Sequence, residues 1–367
     1  MKPGLSLYLD LFRFAAALIV LLSHASYVPY SGAGLRWLYP YGHVAVMAFF
    51  VLSGYVIAFT VDYKHKAMDD YLIARLARLL SVVIPAMILT PLLDAIGILV
   101  APQMYQHIPN SYPVLRVLAT LLFMQESWSL SLSYFSDTPL WSVAYEFWYY
   151  MIFGVAFFYS GRRRVLGLAI IALLIGPRIF VLLPIWWLGV VAYRLHSAGT
   201  FVIGRRLARV LFVSSLALIV LLTSHPLGDD LGRLLHVMKN FPAANEFLTW
   251  SRFFLYDYLI GLLFFVHIAS ARYVIDERIG DHLQRAKAGI RFLAGVTFSI
   301  YLYHLPLMYF LKAVIGYDTA SLANGLLASG SVIVCCFLLA RFTEHKKAFL
   351  QQRLTTLSAF ASKRLAG

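Results

Sequence analysis

Long apolar runs recur along the whole chain, separated by short polar and basic stretches. Most have the length of a helix that crosses a bilayer, about 20 residues. They place spans near residues 8–27, 43–61, 78–101, 139–160, 165–180, 182–194, 208–224, 253–271, 292–312 and 321–341. A segment in lipid must satisfy its own backbone hydrogen bonds, so the pattern predicts an all-α, polytopic helical membrane protein of about ten transmembrane helices. The pieces at 165–180 and 182–194 are short and meet near Pro177 and Pro184. Residues 113–123 are apolar but too few to span, and read as a re-entrant or interfacial segment.

Composition agrees with this pattern. Of 367 residues, 61% are hydrophobic and 13% charged, against about 25% charged in a soluble globular protein. The net charge of +14 does not point to nucleic acid, because the basic residues sit in short loops. They set orientation instead. With the N-terminus inside, most of the 31 Lys and Arg residues fall on the cytoplasmic side. Among them are Lys64, Lys66, Arg75, Arg78, the run Arg162 to Arg164, Arg205, Arg206 and the C-terminal cluster. Both termini are then cytoplasmic. Residues 1–342 form one membrane domain, and residues 343–367 a basic, helix-prone tail suited to lying on anionic lipid. Asp10 and Arg13 inside the first apolar run favour a retained helix over a cleaved signal peptide. The longest external loop, 225–250, holds His225, Asp229, Asp230 and His236, but their spacing matches no common zinc pattern, and a solvated loop is the simpler reading. Cys335 and Cys336 are adjacent in an apolar run and read as small packing residues.

The first run, residues 9–27 (LDLFRFAAALIVLLSHASY), carries Arg13 and His24. Eleven helical steps give roughly 16 Å of rise and return to nearly the same face. Separately, Arg13 fits an interfacial anchor paired with Asp10, and His24 a satisfied interfacial histidine. On one face together they point to a functional path. The assumed topology places Glu146 and His304 at a depth similar to that of His24, on two other helices. A carboxylate beside an imidazole fixes its tautomer, as a general base requires, and Asp94 and Asp257 are alternative carboxylates at that depth. A structural polar cluster is the competing reading. Arg75 and Arg78 share a helix face at the cytoplasmic boundary, which suits phosphate recognition and equally positive-inside anchoring. Ser53-Gly54 mid-helix marks a place where another helix or a ligand approaches closely.

Taken together, these segments resemble the acyltransferase 3 family of integral-membrane O-acyltransferases, which acylate bacterial surface glycans and other acceptors. The resemblance rests on Arg13 and His24 with ten residues between them, and on FFVLSG ending at Ser53 and Gly54. Further on, Arg75 and Arg78 precede Pro85, Trp141-Ser142 precede Glu146 and the aromatic pair Trp148-Tyr149, and SIYLYHLP contains His304. Two features depart from the family: Glu344 is followed by His345-Lys346 where Glu-x-Pro is common, and there is no room for an added hydrolase-like domain. The resemblance implies transfer of an acyl group, commonly acetyl, from cytoplasmic acetyl-CoA to a hydroxyl reached from the outer side. The co-substrate is acyl-CoA, with no permanent cofactor and no metal, and the setting is the bacterial inner membrane. The acceptor would be a surface polysaccharide or its lipid-linked precursor. On this reading Arg13, Arg75, Arg78, Ser53 and Gly54 hold the donor. His24 is the base, Glu146 (or Asp94 or Asp257) its orienting partner, and His304 a second acid/base or an acceptor ligand.

The competing class is a transporter or flippase for an anionic or glycolipid substrate, against which stands the lack of an inverted repeat. External aromatics, Tyr27, Tyr30, Trp37, Tyr39 and Trp128, fit sugar stacking and an interfacial belt equally.

Overall fold

The computed structural model describes residues 2–27, 35–64, 67–199, 202–275 and 277–366, with side chains to residue 359 apart from residue 277. Tyr30 and Lys66 lie outside the described residues. The fold is all helical, with no strand among the described residues. In chain order the helices are α1 (Pro3–Ala25), α2 (Tyr41–Lys64), α3 (Met68–Val100), α4 (Pro113–Leu121), α5 (Leu140–Phe158), α6 (Gly161–Ile175), α7 (Pro177–Val181), α8 (Leu183–Ala198) and α9 (Arg205–Thr223). They continue as α10 (Leu227–Leu235), α11 (Pro242–Leu248), α12 (Phe254–Val274), α13 (Glu277–Arg285), α14 (Lys287–Ala294), α15 (Thr297–Ile315), α16 (Leu322–Phe342) and α17 (Lys347–Ala366).

Among the described residues, seven segments are long and apolar enough to cross a membrane: those containing α1, α2, α3, α9, α12, α15 and α16. The other three expected spans differ for separate reasons. Helix α5 has 19 residues, but it carries Glu146 and a run of Trp and Tyr and is not among those segments. Helices α6 and α8 have 15 and 16 residues, roughly 22–24 Å of helix against a hydrocarbon layer of about 30 Å. The chain breaks between them at Gly176, whose φ of 72° lies in the left-handed region. Trp128 fixes that corner, its backbone N–H donating to the Ile175 carbonyl and its indole N–H to Leu173. The 113–123 segment forms α4, nine residues bounded by positive-φ residues Tyr112 and Phe123.

Helix α1 packs between α2 and α15, with α13 and α14 against its first half. Helix α15 also packs on α3, so α1, α2, α3 and α15 surround the residues described below. Backbone contact tightens the bundle at α2 and α8. A Cβ on Gly54 would stand 2.0 Å from the Trp186 carbonyl oxygen, and one on Gly189 would stand 1.9 Å from the Val51 oxygen. The two glycines face each other's helices, so Gly54 serves helix crossing and does not line the adjacent cavity. Gly42 does the same for α1, where a Cβ would meet the Ser23 hydroxyl oxygen at 2.3 Å. This locks α2 beside the residue preceding His24.

The contacts at Gly189 are backbone and have no rotamer to escape into. Gly189→Ala should therefore lower stability by roughly 1–3 kcal/mol, the usual cost of overpacking. Gly330→Ala, where a Cβ would meet nothing within 4 Å, should leave the melting temperature of the detergent-solubilised protein unchanged.

Candidate active site

Arg13, Arg75 and Arg78 converge on one cavity of about 500 Å³. Arg13 comes from α1, and the pair with helical spacing from the first turns of α3. At the exposed end of the cavity stand Lys64, Arg291 and Lys347. Six described cations thus line the space against two carboxylates, Asp10 and Glu146. Asp10 is engaged by Arg13 at 3.2 Å and by Arg291. Arg75 and Arg78 have no ion pair among the described residues. Among the described residues, the buried Nε atoms of Arg13 and Arg75 have no hydrogen-bond partner. Guanidinium groups gathered in one concave space, those of Arg75 and Arg78 without an ion pair among the described residues, have the chemistry to bind phosphate oxygens.

Glu146 lies on the wall of this cavity. Its Oε1 accepts from the Ser53 hydroxyl at 2.7 Å and from the Tyr150 hydroxyl, and its charge acts on Arg13, Arg75 and Arg78. No hydrogen bond joins Glu146 to His24 among the described residues. The other two carboxylates considered for that position also have other partners. Asp94 accepts from the backbone N–H and hydroxyl of Ser136 at 3.1 and 2.6 Å. Asp257 accepts from His43 Nε2 at 3.0 Å.

The neighbour of His24 is His304. Their rings lie 4.9 Å apart, with His304 Nε2 2.9 Å from His24 Nδ1. The tautomers follow from what each partner can do. The Ile300 carbonyl, 2.9 Å from His304 Nδ1, can only accept, so Nδ1 carries the proton. In the neutral ring His304 Nε2 is then an acceptor, and it takes the Nδ1–H of His24, which also points to the Val20 carbonyl at 3.1 Å. His24 Nε2 is left with its lone pair and makes no hydrogen bond among the described residues. The arrangement orients a base at one nitrogen through neutral partners.

Tyr301 joins the two halves. It lines the inner end of the cavity, its hydroxyl is 2.6 Å from Ser142 Oγ, and its ring packs 5.5 Å from Phe49 and 6.5 Å from His304. Tyr301 thus stands between the arginine-lined cavity, which neither histidine lines, and the histidine pair.

A family profile described as an acyltransferase domain matches residues 6–341. The chain belongs to the acyltransferase 3 family. No match was found among curated proteins or among solved structures. Membership makes this an integral-membrane acyltransferase fold, and the matched stretch contains every site residue named above except Lys347.

Ser142 and Tyr301 stood out in the sequence only as members of longer motifs, and Tyr150 and His43 not at all; nothing in aromatic-rich helices marks one hydroxyl over another. Glu344 was visible only as a departure from the family pattern, and Lys347 only as part of a tail read as lying on lipid. Helix α17 instead packs along α3, and Glu344 accepts from the backbone N–H groups of Phe298 and Ser299 at 3.4 and 3.0 Å. A carboxylate on the first N–H groups of α15 satisfies orphan donors and favours the helix dipole. It also seats Lys347 at the cavity. Glu344→Ala should cost about 0.5–2 kcal/mol, the range for losing a helix cap. Limited proteolysis should then release the tail sooner than in the unaltered protein, with Glu344→Gln intermediate.

Proposed function

We propose that this protein transfers an acyl group, acetyl first, from cytoplasmic acyl-CoA to a hydroxyl of an extracytoplasmic acceptor. The acceptor we assign is a surface polysaccharide or its lipid-linked precursor at the bacterial inner membrane. The observation that carries the reading is the single helix α1, with a cation-lined cavity at Arg13 and a base-competent imidazole at His24. Ten spans with both termini cytoplasmic, the two short helices α6 and α8 crossing with local bilayer thinning, put the cavity's exposed end in the cytoplasm.

On this reading Arg75, Arg78 and Arg13 hold the diphosphate of the donor, and Lys64, Arg291 or Lys347 its outer phosphate. The pantetheine arm follows α1 past Tyr301. The acceptor hydroxyl attacks the thioester carbonyl while His24 Nε2 takes its proton. Collapse of the tetrahedral intermediate breaks the C–S bond, and the proton held on His24 passes to the departing thiolate, giving ester and free CoA. His304 holds His24 in the required tautomer, and Glu146 holds Ser53 and Tyr150 on the donor wall.

A base accepts a proton only when unprotonated, so transfer should rise with pH as the imidazole deprotonates. His24→Gln should lower transfer by about 10²–10⁴-fold, the usual contribution of a positioned base. Acetyl-CoA binding should be unaffected. If a well-folded His24→Gln protein keeps more than about a tenth of the activity, the base is elsewhere.

Arg75→Ala and Arg78→Ala should each weaken acetyl-CoA binding by about 1.5–3 kcal/mol, the worth of a charged hydrogen bond. Titration calorimetry in nanodiscs measures this. Unchanged affinity in the double variant would return both residues to anchoring.

A further inference from the structure

A second cavity, of about 640 Å³, opens where α1 ends and α2 begins. It is lined by Tyr39, His43, Trp250, Arg252, Phe253 and Tyr256. At its wall is a histidine–carboxylate pair that the mechanism above leaves unused. His43 Nε2 donates to Oδ1 of the fully buried Asp257 at 3.0 Å, and the His43 side chain is 31% exposed. Asp257 Oδ2 is buried and has no hydrogen-bond partner, and His43 Nδ1 makes no hydrogen bond among the described residues. A pair serving only to join α2 to α12 would gain from satisfying that oxygen, since an orphan buried acceptor is costly. Here the carboxylate's charge is left to polarise His43. The free Nδ1 of that ring is then a strong acceptor for a hydroxyl.

The surroundings are suited to a ring with hydroxyls. Trp250 stacks on Trp141 at 5.0 Å and 8°, and Trp141 stacks on His43 at 6.0 Å and 14°. Flat faces backed in this way offer a platform for the C–H face of a sugar, with polar edges beside it. Two chains of side-chain contacts lead from this cavity toward the reacting residues. Tyr39 meets the Tyr27 hydroxyl at 3.1 Å, and the Tyr27 ring lies over His24 at 6.3 Å. Next to Trp141, Ser142 holds Tyr301, which packs on His304.

We infer that this cavity is the acceptor subsite, binding a pyranose ring whose hydroxyl donates to His43 Nδ1 while the ring rests on Trp250. The inference rests on the acyl-transfer reading for its role. Its binding is nonetheless measured without any donor.

The test uses the full protein in sugar-free nanodiscs, with glucose, mannose, galactose and N-acetylglucosamine as probes. At least one should quench tryptophan fluorescence saturably at millimolar concentration, and the same sugar should protect His43 from diethyl pyrocarbonate, mapped by mass spectrometry. His43→Gln and Trp250→Leu, each checked by size exclusion, should weaken binding at least about fivefold, the effect of one lost hydrogen bond or stacking contact. The inference is overturned if no sugar protects His43, if inorganic phosphate alone protects it, or if both folded variants bind within about twofold of the unaltered protein. Sugar binding without any acyl-CoA turnover would instead overturn the acyl-transfer reading. Turnover without sugar binding would overturn only the subsite.

Discussion

The hydrogen bond between His304 Nε2 and His24 Nδ1 is 2.9 Å long, and two helix carbonyls determine its direction. Ile300 and Val20 each lie one turn before the histidine they contact. The proton positions are thus set by helix geometry, and no carboxylate hydrogen-bonds to either ring among the described residues. Inside a membrane such an arrangement is economical: neutral rings avoid the desolvation that ionised groups incur. The rest of the bundle keeps that pair in place. Gly42 lets α2 press on Ser23, α15 carries His304 against α1, and Glu344 anchors the first turn of α15.

Charge is concentrated at the other end of α1. The cavity there leaves Arg75 and Arg78 without an ion pair among the described residues, while Asp10 binds Arg13 and Arg291. An empty cluster of like charges is unfavourable, and a polyanionic ligand relieves it. Glu146 softens the repulsion without closing the site, because its bonds run to Ser53 and Tyr150.

Much of this was legible in the chain. Apolar runs gave the spanning helices, and the ten-residue gap between Arg13 and His24 placed both on one face. The pairing of His24 was not legible. Four ionisable groups at similar depth, Glu146, His304, Asp94 and Asp257, are equivalent in sequence, and only the crossing of helices selects among them. Side-chain direction decided the outcome: Glu146 turns toward the arginines, Asp94 toward Ser136, and Asp257 toward His43. Gly54 was open between ligand and helix for the same reason, and it meets α8. The contact of the tail helix with α3 was not legible, because a basic helical segment has the same composition on lipid as on another helix.

The proposed reaction, with the donor held at one end of α1 and the acceptor at the other, requires that an acyl group cross the membrane without CoA crossing it. Inverted membrane vesicles containing the protein, given acetyl-CoA labelled on the acetyl group outside and unlabelled polysaccharide precursor inside, test this directly. Expected is labelled ester in the lumen, with free CoA appearing outside in equal amount. Label confined to the outer face, or CoA accumulating in the lumen, would contradict a path running along α1 from the arginines to His24.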